Sequence, residues 1–201
     1  MARIQHRNEP SADQLRVVEG GQKLKYPVNL VADAIKQEAR DAGFAAPLFS
    51  VKSGYRSSAT QRSLWERALA RYGSEEVARR YVAPPGRSAH VTGGTMDFDL
   101  GNPIDSSAIP AHRASPAYQF LREIAPKYKI TQYEREPWHW ECDDACEQNI
   151  LAMEESGSAS SGEGFFSEKK KKIALLTVGG GFALLGSYLA YNKLVTGEWL
   201  G

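Results

Sequence analysis

Histidine is scarce in this 201-residue chain, four in all, and two of the four stand beside carboxylates. In Ser88-Ala-His90-Val-Thr-Gly-Gly-Thr-Met-Asp97 an imidazole and a carboxylate lie seven residues apart, with Gly93 and Gly94 between them to make a tight turn. Such a turn can fold both side chains toward one point. In Glu136-Pro-Trp-His139 a second imidazole follows a carboxylate by three residues, in a segment whose Trp138 and Trp140 favour a strand. Two histidines, one aspartate and one remaining glutamate are the inventory of a catalytic zinc centre, in which three protein ligands leave a fourth position for water. Bound zinc lowers the pKa of that water toward about 7, and a nearby glutamate can accept its proton as the oxygen attacks a carbonyl. The chemistry is metal-assisted amide hydrolysis.

Two more segments belong with these. Ser53-Gly-Tyr-Arg56-Ser-Ser-Ala-Thr-Gln61 places a permanently charged guanidinium after an apolar run, suited to forking onto a peptide carboxylate or a developing oxyanion. The bland alternative for Arg56 is an ion pair that holds its loop. Tyr81-Val-Ala-Pro-Pro-Gly86-Arg-Ser88 leads into the first histidine motif. Asp99 competes with Asp97, because two residues along a strand it points to the same side.

In order and spacing, these motifs together with Tyr133-Glu-Arg-Glu136-Pro-Trp-His139-Trp resemble the VanY-like D-alanyl-D-alanine carboxypeptidases of the M15 zinc peptidases, over residues 27 to 142. The resemblance implies that His90, Asp97 and His139 bind zinc, that Glu136 is the general base, and that Arg56 engages the substrate carboxylate, with Ser88 and Gln61 assisting substrate binding. It selects Asp97 over Asp99. It also implies a substrate, the D-Ala-D-Ala end of peptidoglycan stem peptides, with endopeptidase cleavage as an alternative within the class. A silent wall-binding or protein-binding module on the same fold is the alternative outside it. The chain departs from the common family motif at Thr95 and Ala89, where alanine and glutamate are usual.

The elements that must position these groups read as follows. Val28, Val31, Ile35 and Ala39 recur at near-helical spacing behind Pro27 and predict an amphipathic helix over residues 27 to 42. Residues 48 to 53 alternate as a strand; helices are expected over 59 to 72, with Leu64, Trp65 and Leu69 inward, and from Ser74 to Tyr81. A strand over 95 to 100, a helix over 116 to 128 and a short strand pair within 130 to 141 complete the domain. Mixed elements without a βαβ rhythm argue an α+β fold, a small mixed sheet flanked by helices. His6 and His112 match nothing and are expected at the surface. Cys142 and Cys146 are too few for a disulfide scaffold; a pair beside the site or a disulfide is open, with two buried thiols the expectation.

Hydrophobic residues at 42% and charged residues at 24% mark a folding chain, and 25 Lys+Arg against 24 Asp+Glu leave no basic field for nucleic acid. No apolar N-terminal stretch reads as an export signal. The expected organisation is an extension (1–26), the peptidase domain (27–154), a Ser/Gly/Lys linker (155–172), a membrane helix (173–191) and a short tail (192–201). Residues 173 to 191 hold nineteen residues without a charge, close to the roughly 20 that span a bilayer. Gly179, Ala183 and Ser187 on one face suggest helix self-association. Lys169 to Lys172 argue that the preceding domain faces the cytosol, yet peptidoglycan lies outside it. Two arrangements answer this: a bacteriophage lytic enzyme anchored in a virion or host inner membrane, or a bacterial enzyme whose domain faces outward against the charge rule.

Overall fold

The computed structural model describes residues 9–157. A short hairpin comes first, β1 (Leu15–Val17) pairing antiparallel with β2 (Lys23–Lys25). Helix α1 (Val28–Asp41) follows, and its inward residues Val28, Val31, Ala32, Ile35 and Ala39 keep the spacing of the sequence pattern. Strand β3 (Val51–Ser53) leads to α2 (Ser58–Tyr72), whose first turn is capped by the Ser57 hydroxyl accepting from the Thr60 amide. Gly73 ends that helix in the left-handed region at φ 73°. A one-turn helix α3 (Glu75–Ala78) folds back on α2, and Trp65, Ala68 and Ala78 form a small core of their own.

The site-bearing half follows. Strand β4 (Thr95–Phe98) is buried along its whole length. Two helices come next, α4 (Ile109–Ala114) and α5 (Pro116–Tyr128), the second opened by a Ser115 cap with Pro116 in its first turn. Strands β5 (Thr131–Gln132) and β6 (His139–Glu141) then complete a four-stranded sheet of order β3-β4-β6-β5. Helix α6 (Asp144–Glu155) closes the described chain, its N-terminus capped by Asp143 accepting from the Cys146 amide.

The sheet was expected to be mixed, and every strand pair in it is antiparallel. The α2–α3 excursion returns the chain to the Ser53 end of β3 that it left, so β4 enters running against it. Helices α1, α5 and α6 pack together against the sheet around Ile35, Phe98, Leu121, Tyr128 and Ile150. Glu38 of α1 is buried in that core because Tyr128 Oη donates to it at 2.6 Å and Lys127 reaches the same carboxylate. A buried carboxylate without such donors would be costly.

The hairpin and α6 were not among the elements expected from the sequence. Leu24 is fully buried, and Lys25 forms an ion pair with Glu147 of α6 at 2.8 Å, so residues ahead of α1 take part in the fold. The proposed linker beyond residue 157, Gly179, Ala183 and Ser187, the apolar stretch 173–191 and His6 all lie outside the described residues. Among the described residues no helix is long and apolar enough to cross a membrane.

Candidate metal centre

His90 rides on a 3-10 turn, Ala89–Thr92, that ends at Gly93 with φ 72°. A side chain there would be strained, and its Cβ would come within 2.9 Å of the Lys25 Cβ. At Gly94 a Cβ would meet the Cys142 carbonyl oxygen at 2.8 Å, which is why the chain can enter β4 so close to the end of β6. Asp97 then lies on β4 directly opposite His139 on β6. The distances follow: His90 Nε2 to Asp97 Oδ2 is 3.3 Å, His139 Nδ1 to Asp97 Oδ1 is 3.0 Å, and the imidazole rings meet edge-on at 5.2 Å. One donor atom from each of His90, Asp97 and His139 lies within 4.8 Å of the others, and all three residues are buried.

The outer contacts decide which nitrogens face inward. Nδ1 of His90 stands 2.7 Å from the Gly54 carbonyl oxygen, which can only accept, so that nitrogen carries the proton and Nε2 presents its lone pair. His139 is arranged the other way: Nε2 lies 3.2 Å from the Glu141 carboxylate, leaving Nδ1 for the centre. Asp97 Oδ1 and His139 Nδ1 are buried and lack a properly oriented hydrogen-bond partner among the described residues, although they face each other. Two lone-pair atoms held in that relation suit a divalent cation, and a His₂Asp set favours zinc.

Without a cation, protons take its part. Burial works to raise the Asp97 carboxyl, but the close approach of the His139 and His90 imidazoles outweighs it and holds the group well below the usual carboxylate range. Burial likewise works against the His139 imidazolium, and the adjacent Asp97 carboxylate and the hydrogen bond to Glu141 overcome it, pushing the pKa up to about 9.

Glu136 is half-exposed in the turn between β5 and β6, its Oε2 3.7 Å from His139 Nδ1. The turn is folded on itself: the Glu136 amide donates to the Tyr133 carbonyl at 2.9 Å, and the His139 amide to the Glu136 carbonyl at 2.9 Å. Tyr133, which the residue pattern did not single out, sets its ring 5.6 Å from the His139 ring at the exposed rim. Arg56 follows β3, its amide donating to the His90 carbonyl at 3.1 Å. Its guanidinium donates to Gln61 Oε1 at 2.9 Å and to Ser53 Oγ at 3.3 Å. Burial draws that guanidinium's pKa down, and the nearby Asp97 charge opposes the shift.

Gln61, expected to help bind substrate, is fully buried and spends its amide on Arg56 and on the Ala83 carbonyl at 2.6 Å. Its link to the site is through Arg56. Ser88 sits at the start of the 3-10 turn without capping it. Asp99 is engaged elsewhere, with Lys52 at 2.9 Å and the Gly101 amide at 2.9 Å, leaving Asp97 as the carboxylate at the centre.

Two expectations are overturned near the site. Cys142 and Cys146 are not thiols but a disulfide, their Cα atoms 5.2 Å apart because α6 begins immediately after β6 and brings its first turn back over the strand end. His112 is not at the surface: it is fully buried, with Nε2 3.0 Å from the Pro103 carbonyl oxygen and its ring 5.0 Å from Trp138.

A buried His-Asp-His cluster on an antiparallel sheet, with a carboxylate in the adjoining turn and a braced arginine, defines the class of metal-dependent peptidases. The chain belongs to the VanY D-alanyl-D-alanine carboxypeptidase family, whose model matches residues 22–142. It is 33% identical over 128 residues to YodJ of Bacillus subtilis, which carries a carboxypeptidase name, covering 57% of this chain and 45% of that protein. It is 36% identical over 99 residues to VanXYC of Enterococcus gallinarum, a bifunctional D-Ala-D-Ala dipeptidase and carboxypeptidase, covering 43% of this chain and 52% of that one. The chain thus spans about half the length of the curated relatives it matches. Among solved structures, the LdcB LD-carboxypeptidase shares its fold with a TM-score of 0.51 at 21% identity, over 71% of this chain and 68% of that one.

Proposed function

We propose that the protein is a zinc-dependent D,D-carboxypeptidase acting on peptidoglycan stem peptides. The observation that carries this is the convergence of His90 Nε2, Asp97 and His139 Nδ1 with Glu136 beside them. VanXYC, the Enterococcus relative, supports the D-Ala-D-Ala substrate by its named activities. Zinc held by the three ligands supplies a Lewis acid and a water acidic enough to react near neutral pH. Glu136 takes the proton of the attacking water and delivers it to the leaving amine, so that one C–N bond breaks as one C–O bond forms. Arg56, fixed in direction by Gln61 and Ser53, pairs with the carboxylate of the terminal residue.

The Cys142–Cys146 disulfide supports a domain working in an oxidising compartment, on the side where the wall lies. This favours the outward-facing arrangement over the cytosolic one suggested by Lys169 to Lys172, with 173–191 as the proposed anchor. The test is incubation of the full chain with a stem pentapeptide, with and without chelator, and product identification by mass. Release of a single alanine that chelator abolishes and zinc restores is expected. Cleavage within the stem would make the protein an endopeptidase, and an intact peptide beside bound zinc would make it a silent module.

A further inference from the structure

Glu136 has no rigid element of its own. It lies in the turn from Tyr133 to His139, is half-exposed, and must nevertheless stay aimed at a water beside the cation. Within the turn only backbone hydrogen bonds hold it. Beyond Glu136 the sheet and the Trp140 indole meet the turn's C-terminal end, Trp140 Nε1 donating to the Pro137 carbonyl at 3.0 Å, and two consecutive residues of α4 reach it on either side of Glu136.

Arg113 donates to the Glu134 carbonyl at 2.7 Å, two residues before Glu136. His112 packs its ring against Trp138 at 5.0 Å, two residues after Glu136. His112 is itself fixed: it is fully buried and bonded to the Pro103 carbonyl. Trp138 is buried as well, and its carbonyl accepts from the Phe98 amide at 3.0 Å, next to Asp97. The Arg113 carbonyl in turn accepts from Gln119 Nε2 at 2.7 Å, which ties α4 to the first turn of α5.

From this we infer that His112 and Arg113 are positioning residues for Glu136, a two-point clamp that grips its turn at Glu134 and Trp138 and sets the distance between carboxylate and metal centre. The inference rests on Glu136 acting as the base. Neither clamp residue touches the three ligands, so the clamp governs turnover and leaves metal loading alone. Misplacing a catalytic group by an ångström can cost up to about a hundredfold in rate, while a turn that loses one anchor and keeps the others retains part of its geometry.

The test uses the full chain. Arg113 is exposed, so Arg113→Ala removes one grip without hollowing the core. The expected result is a fall in kcat of about tenfold with KM and zinc content unchanged, faster hydrogen exchange at the Glu136 and His139 amides, and recovery in Arg113→Lys, which can still donate to the carbonyl. His112→Leu, which removes the ring from Trp138, is expected to lower kcat at equal zinc. An unchanged kcat and unchanged amide exchange in Arg113→Ala would overturn the clamp, as would a loss that follows zinc content or thermal stability. Glu136→Gln run in parallel separates the two readings: if it stays active, the base assignment fails, and the amide-exchange readout then judges the clamp alone.

Discussion

Asp97 and His139 face each other as a cross-strand pair of two antiparallel strands, with 3.0 Å between a carboxylate oxygen and an imidazole nitrogen. Strand register therefore sets the spacing of two of the three candidate metal ligands. Only the third, His90, depends on a turn.

If Glu136 is the proton acceptor, Glu136→Gln keeps the shape of the turn and removes the base. A loss in kcat of about a thousandfold is expected, with zinc still bound at one equivalent. Parent-like turnover would remove the assignment.

Metal loading should depend on pH with a sign fixed by His139. Its pKa is raised to about 9, so below that value a proton must leave before the nitrogen can bind zinc. Affinity is expected to rise about tenfold per pH unit between pH 7 and 8, read by competition with a chelator. In the metal-free chain the same pair has the opposite trend. The His139 contribution to stability is complete below its ordinary value of 6.5 and is lost as pH rises through about 9. The Asp97 contribution is complete above its ordinary value of 3.8 and is lost as pH falls through its lowered value. Urea midpoints of the chelated protein should therefore decline from pH 6.5 to 9; midpoints that climb over that range would contradict this pairing.

Gln61→Ala should loosen Arg56 and strand the Ala83 carbonyl. The expected loss of stability is about 1 to 3 kcal/mol, with KM for the peptide raised several-fold and zinc content untouched. A variant with unaltered KM would show that Arg56 keeps its direction without Gln61.

Replacing both Cys142 and Cys146 by serine opens a short covalent loop. A loss of about 2 kcal/mol is expected from loop closure alone, measured by urea unfolding of both forms. Equal midpoints, with the parent unaffected by reductant, would mean that the bond adds nothing to the fold.

The clustering of His90, Asp97 and His139 was readable ahead of the rest of the architecture because their motifs are local. Gly93, Gly94 and the seven-residue gap from His90 to Asp97 describe a turn entering a strand, and that is how they fold. Helices α1 and α5 were equally legible, since each carries a complete apolar stripe. The β1–β2 hairpin was not, because three-residue strands are too short to show alternation. The disulfide and the burial of His112 were hidden for another reason. Each depends on where a neighbouring element lands, α6 over the end of β6 in one case and α4 beneath Trp138 in the other. Spacing along the chain does not report that.

The hairpin ahead of α1 contributes no ligand, yet it backs the centre. The Lys23 carbonyl accepts from the Tyr55 amide at 2.6 Å, the Gly93 carbonyl accepts from the Lys25 amide at 2.9 Å, and the Gly54 carbonyl orients His90. A Cβ at Gly54 would come within 2.4 Å of the Lys23 oxygen, so the two backbones meet with no room between them. Cutting the chain at Pro27 would therefore leave His90, Asp97 and His139 in the polypeptide while unshackling the loops that aim His90. Such a fragment should still capture the ion but surrender it to a chelator sooner than the intact protein, a difference of dwell time and not of ligand count.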